Sequence, residues 1–167
     1  AIAVLDLIGA QPPAAAAALG KFSGAARRFQ IKGEAAGVTV VDDYAHHPTA
    51  IQMTIEAARE RFPGKKIIVA FHPHLYSRTR SLLQEFGHAL AEADESLIAP
   101  IYAARETPDP SVSNESVAEV TRRYGGESLS FDSFDLIRDK LLSYDDRYLI
   151  ITMGAGDIYK VAEQIAD

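Results

Sequence analysis

From residue 27 onward the spacing of apolar positions alternates between two periods. "GVTVVDD", "KKIIVAF" and "RYLIITM" are short apolar runs bounded by turn residues, the pattern of strands buried on both faces. Between them the period is helical. "PTAIQMTIEAARERF" carries Ile51, Ile55, Ala58 and Phe62 on one stripe and stops at Pro63-Gly64. "SRTRSLLQEFGHALAEA" places Leu82, Leu83, Phe86, Ala89, Leu90 and Ala93 on another, read as one helix over 77–93. "ESLIAPIYA" follows, then a loop at "RETPDPSVS", a helix "NESVAEVTRRYG", a short strand "ESLSF", a helix "FDLIRDKLLSY", and, after "RYLIITM", a last helix "DIYKVAEQIA". Upstream, "RRFQIKGEA" and "GVTVVDD" read as a hairpin joined through Gly37.

Strands alternating with helices of this length imply right-handed crossovers. The expected fold class is α/β: a three-layer, Rossmann-like domain with a mainly parallel sheet of about six strands, helices on both faces and one antiparallel strand. The start of the chain differs. Ala1 to Gly9 reads as a short helix, and an alanine-rich helix follows with Pro12 and Pro13 at its start and Gly20 at its end. The change of pattern puts a boundary near Gly24 to Arg27, dividing the chain into 1–24 and 25–167.

Composition narrows this picture only a little. An apolar content of 47% in 167 residues is enough for one core. The net charge of -6, with no basic run, argues against a nucleic-acid partner or a polyanionic membrane surface. With no cysteine there is no disulfide framework or thiolate zinc site, and cytoplasmic localisation is the default expectation. No stretch reads as a signal peptide or a membrane span. The chain begins without an initiator methionine, inside a helix pattern, which is expected of a piece of a longer protein.

In an open parallel sheet, ligands bind where strand carboxyl ends lead into helices. Three such loops carry unusual residues: "DDYAHHP", "HPHLYSRTR" and "TMGAGD". In the first, Pro48 suits the first helical turn, which leaves free N–H groups facing a carboxylate or phosphate. The alternative is a structural turn in which Asp42 and Asp43 accept backbone hydrogen bonds. In the second, Ser77 is the expected N-cap, placing Arg78 and Arg80 in the first helical turn. The helix dipole disfavours each cation there by roughly 0.3–1 kcal/mol, so a compensating anion is expected. Residues two apart do not share a helix face, so one arginine should meet the ligand and the other orient the loop. The alternative is a surface pair with Glu85 or a neighbouring acid. In the third, Gly154 and Gly156 allow close backbone approach, but the third glycine of a dinucleotide fingerprint would fall on Tyr159. Asp42, Asp43, His46, His47, His72 and His74 could also ligate a metal. Adjacent histidines point different ways and no H-E-x-x-H spacing occurs, so no metal site is assigned.

"RRFQIKGEAAGVTVVDDYAHHPTAI", "FHPHLYSRTR" and "LIITMGAGDIYKVA", in this order, resemble the C-terminal domain of the Mur ligase family, and the similarity runs from Phe22 to the end. The combination is specific where single pieces are not. The resemblance implies an ATP-dependent step of peptidoglycan synthesis, in which ATP phosphorylates the carboxylate of UDP-N-acetylmuramate and the amine of L-alanine attacks. It implies that residues 1–24 are the last helices of a central ATPase domain. It places Asp43 and Tyr44 on the ATP side, and His46 and His47 at the junction of nucleotide and amino acid. His74 and Arg78 would hold the alanine carboxylate or the product, with Arg80 supporting and Gly154, Ala155, Gly156 and Asp157 backing the pocket. Where many relatives carry an arginine this chain has Leu75, which leaves the carboxylate to Arg78. No catalytic base is assigned. No G-x-x-x-x-G-K-[ST] phosphate loop occurs in the 167 residues, so ATP with Mg2+ is expected to be held mostly by an upstream domain.

Overall fold

The computed structural model describes residues 2–9, 11–21, 24–35 and 37–166. Ala1, part of the first helix reading, lies outside them. Two short helices, α1 (Ile2–Leu7) and α2 (Pro12–Leu19), precede a six-stranded sheet. Its strands are β1 (Gln30–Ala35), β2 (Val38–Asp43), β3 (Lys66–Phe71), β4 (Glu95–Ile98), β5 (Ser128–Ser130) and β6 (Tyr148–Met153), arranged in the order β1-β2-β6-β3-β4-β5. Only β1 runs antiparallel, against β2; every other neighbouring pair is parallel. The hairpin turns at Gly37, whose φ of 82° is the left-handed conformation that glycine adopts without strain.

Crossovers between the strands are made by α3 (Pro48–Arg61), α4 (Tyr76–Ser81), α5 (Leu83–Leu90), α6 (Asn114–Arg123) and α7 (Phe134–Leu141), and α8 (Tyr159–Ala166) closes the fold. Alternation along the central strands sorts two cores. Ile67, Val69 and Phe71 of β3 join Leu149, Ile151 and Met153 of β6 beneath α3, α5 and α6. Ile68, Ala70 and Ile150 face α7 and α8 through Ile137, Leu141, Val161 and Ile165. The α/β, mainly parallel reading therefore holds, including the single antiparallel strand. Among the described residues no helix is long and apolar enough to cross a membrane.

Local boundaries moved in several places. The first strand is shorter than read, because Arg27 and Phe29 adopt positive φ (57° and 45°) and form a turn. The apolar segment 95–103 is strand only as far as Ile98, and the last helix begins at Tyr159 rather than Asp157. The helix read over 77–93 is two helices, broken at Leu82, where φ is -115° and ψ is 24°. Its apolar stripe continues through the break, so periodicity could not reveal it.

Candidate functional site

Because β6 lies between β2 and β3 and all three run parallel, their following loops leave one edge of the sheet side by side. The three loops selected from the sequence therefore meet.

The loop after β2 is held from within. Asp42 is fully buried and accepts hydrogen bonds from Arg27 Nε at 2.8 Å and the Thr152 hydroxyl at 2.7 Å. Asp43 is 7% exposed and accepts from the backbone N–H groups of Phe29 and Ala45, each at 2.7 Å. Both aspartates thus make the turn. His46 Nδ1 lies 2.9 Å from the Tyr44 carbonyl, which places the proton on Nδ1. His47 is the exposed N-cap of α3, and its side chain caps no N–H group.

The loop after β3 is different. Ser77 is not the N-cap. That position is held by Leu75 at a φ of 71°, a conformation costly for a side chain with a Cβ. Ser77 instead donates its N–H to Glu106 at 2.9 Å and its hydroxyl to the same carboxylate. Arg80 pairs with Asp109 at 2.6 Å, not with Glu85. Arg78, between them, makes no ion pair among the described residues, and its Nη1 is buried without a hydrogen-bond partner. The Nδ1 atoms of His72 and His74 share that condition, and among the described residues these three are the buried side-chain polar atoms left unpartnered. Native interiors rarely leave such groups unsatisfied, and their concentration in one loop makes it the candidate site.

The loop after β6 closes against His72. A Cβ on Gly154, where φ is 150°, would lie 2.8 Å from the His72 carbonyl oxygen, and one on Gly156 would lie 2.6 Å from His72 Nδ1. Only glycine permits that approach. The Gly154 carbonyl accepts from Arg27 Nη2 at 2.7 Å, Ala155 is partly exposed, and Asp157 is exposed and paired with Lys160.

A chain of ring contacts joins the loops. Tyr44 meets His46 edge-on at 5.2 Å, His46 meets His74 at 6.4 Å, His74 lies 5.4 Å from Tyr102, and Tyr102 lies 5.7 Å from His72. Beyond Tyr102 a cleft of about 470 Å³ runs between His72, Ala103, Phe134 and Asp157. Burial pushes His72 down to about 4, further lowered by His74 and Arg27 and opposed by Asp157. Burial also lowers His74, helped by Arg78 and His46 and opposed by Glu106. Both imidazoles are therefore disposed to stay neutral beside a free guanidinium. The arrangement can take a carboxylate or phosphate at Arg78 and hydrogen-bond it without further positive charge. Among the described residues no three His, Asp or Glu side chains converge as a metal site.

The structure thus brings together Tyr44, His46, His74 and Arg78, whereas Arg80 and Asp157 are engaged with neighbours of their own. Two contributors escaped the sequence reading. Arg27 bonds Asp42 and Gly154 and lies over the rings of Tyr44 at 5.1 Å and Tyr159 at 4.7 Å, tying two loops to the start of the sheet. An aspartate inside the apolar run "VTVVDD" signals that some cation must answer it. Tyr102 gave no such signal.

The sequence model for the family described as "Mur ligase, glutamate ligase domain" matches residues 27–156. The UDP-N-acetylmuramate–L-alanine ligase of Kineococcus radiotolerans is 43% identical over 159 residues, covering 95% of this chain and 34% of that protein. The enzyme of the same name from Thermobifida fusca is 41% identical, covering 100% of this chain and 37% of the relative. The crystal structure of UDP-N-acetylmuramate–alanine ligase from Thermotoga maritima superposes with a TM-score of 0.81 at 27% identity, over 98% of this chain and 34% of that one. The chain spans about a third of the length of these relatives. A match over most of the sheet and all three loops, from sequence and structure alike, places this chain in the Mur ligase family.

Proposed function

We propose that the chain is the amino-acid-presenting domain of an ATP-dependent ligase that joins L-alanine to UDP-N-acetylmuramate in peptidoglycan synthesis. The observation that carries this reading is the unpaired Arg78 guanidinium beside the neutral His74 imidazole, in a loop whose other charges are paired. The named relatives are similar to this chain over nearly its whole length, in sequence and, for the Thermotoga maritima enzyme, in fold. Arg78 and His74 hold the amino-acid carboxylate, and His46 stands at the junction with the nucleotide, with His47 beside it at the start of α3. Gly154, Ala155, Gly156 and Asp157 back the pocket, and Arg80 supports it by fixing the loop at Asp109.

When bound, ATP with Mg2+ supplies the activation of the sugar nucleotide's carboxylate, and a central domain of the full-length ligase holds most of it. This domain offers Tyr44 to the nucleotide. Asp43 acts through the loop, since both its oxygens already carry backbone donors. We assign residues 1–24 to the end of that central domain and 25–167 to the C-terminal domain. In support, the family match starts at residue 27, and Val4, Leu7 and Ile8 are 61%, 86% and 73% exposed. Substrates of this kind put the enzyme in the cytoplasm.

The test is phosphate release from ATP by the full-length protein, given UDP-N-acetylmuramate with L-alanine or with a murein tripeptide, beside this chain alone. Release that requires both the sugar nucleotide and alanine, with the isolated chain silent, is the expected result. Release driven by the tripeptide and not by alanine overturns the alanine assignment, and no coupled release from either overturns the ligase reading.

A further inference from the structure

The segment between β4 and α6 runs alongside the segment that carries His74 and Arg78 and is fastened to it repeatedly. Ala99 N–H donates to the Phe71 carbonyl at 2.9 Å, Tyr102 N–H to the Pro73 carbonyl at 2.9 Å, and Leu75 N–H to the Tyr102 carbonyl at 2.8 Å. Side chains continue the series, with Ser77 held by Glu106 and Arg80 held by Asp109. Pro108 and Pro110 flank Asp109, which itself accepts from the Ser111 N–H at 2.9 Å and its hydroxyl at 2.6 Å. The segment is a strap with its own internal bracing.

The strap partners Ser77 before Arg78 and Arg80 two residues after it, and among the described residues leaves the Arg78 Nη1 without a partner. It also bonds Leu75, the strained N-cap of α4, directly before the helix. A six-residue helix, broken from α5 at Leu82 and begun by a residue at positive φ, has little intrinsic reason to hold its place. Glu106 supplies one by accepting the Ser77 N–H, one of the free donors of the first turn.

We propose that Glu106, through Ser77, is a positioning residue for the amino-acid carboxylate: it fixes the first turn of α4 so that Arg78 and His74 present their free donors together. This deepens the reading of the same site given above and rests on it. Glu106 need not touch the substrate. Its acid neighbour Asp109 plays the same part for Arg80, at the far end of the short helix.

The experiment uses the full-length ligase and measures KM for the amino-acid substrate, KM for ATP and kcat. Glu106→Ala is expected to raise the amino-acid KM about tenfold while leaving the ATP KM and kcat within about twofold, the cost of losing a charge-assisted anchor. Ser77→Ala, which removes the hydroxyl bond and keeps the backbone N–H bond to Glu106, should raise the amino-acid KM by a smaller factor, the double variant should be no worse than Glu106→Ala alone, and Ser77→Thr, which keeps the hydroxyl, should restore the wild-type value. Additive losses in the double variant, an unchanged amino-acid KM, or equal losses in all three parameters would overturn the proposal. Should the wild type prefer a tripeptide, the alanine assignment falls, and the same split measured with the tripeptide still decides the role of Glu106.

Discussion

In the loop after β2, Asp42 and Asp43 accept hydrogen bonds from Arg27, Thr152, Phe29 and Ala45, and no buried side-chain atom there is left over. In the loop after β3, His72, His74 and Arg78 each keep a buried nitrogen without a partner. Both loops are dense in titratable residues and both leave the same edge of the sheet. In the first the polar groups are bonded within the fold; in the second three of them have no partner among the described residues. Hydrogen-bond satisfaction separates the two loops where composition cannot.

The sharpest way to test that contrast is to unmake the satisfied loop. Arg27→Ala would strand the Asp42 carboxylate, which is fully buried, and release the Gly154 carbonyl. Breaking one side of a buried pair costs about 3–5 kcal/mol. Urea unfolding of this chain should show a loss of that size. A loss under about 1 kcal/mol would mean that the Arg27–Asp42 pair is not the lock described.

A second test uses acid. The folded protein holds His72 near 4, well below the 6.5 of an unperturbed histidine, mainly by burial against Phe134 and Tyr102. The unfolded chain therefore binds this proton more readily, and the associated stability is complete above pH 6.5 and lost as pH falls from 6.5 to 4. The loss amounts to about 3 kcal/mol, and His74, shifted the same way, adds to it. Comparing urea midpoints at pH 7 and pH 4.5 for the wild type and His72→Gln isolates the effect. A variant as acid-sensitive as the wild type would remove His72 as the cause.

Much of the fold was legible, because a strand buried on both faces and an amphipathic helix have periods that survive in the letters. "KKIIVAF" and "RYLIITM" became β3 and β6, and the hairpin turned at Gly37 as read. What stayed hidden depended on contacts distant in sequence. The break at Leu82 lies inside an unbroken apolar stripe, and Leu75 takes a left-handed conformation that its identity discourages. Ser77 has the chemistry of an N-cap, yet a glutamate 29 residues away claims it. Of the two arginines expected to divide their roles, Arg80 is the one paired within the fold, and only the distant Asp109 reveals it.

The joint between the loops offers a smaller effect. Gly154→Ala would force a Cβ to within 2.8 Å of the His72 carbonyl oxygen, in a backbone conformation that alanine rarely adopts. Since the obstruction is backbone and both strands beneath it are paired, relief requires a shift of the loop. A loss of about 1–3 kcal/mol is expected. A neutral outcome in thermal unfolding would show that the loop after β6 moves freely over His72.

The smallest effect on the fold should come from the residue assigned the largest role in binding. Among the described residues Arg78 makes no ion pair, and its buried Nη1 is unsatisfied, so its guanidinium contributes desolvation cost without a compensating bond. Arg78→Ala in this chain should change unfolding free energy by no more than about 0.5 kcal/mol, apart from the packing of its stem. In the full-length ligase the same substitution should lower kcat/KM for alanine by about a hundredfold, as expected for losing a charged contact to a carboxylate, and affect ATP binding far less. Two measurements on one variant then decide whether the loop after β3 is site or scaffold. A large stability loss would make Arg78 part of the fold, like Arg27, and equal losses for alanine and ATP would make it part of the nucleotide's surroundings instead.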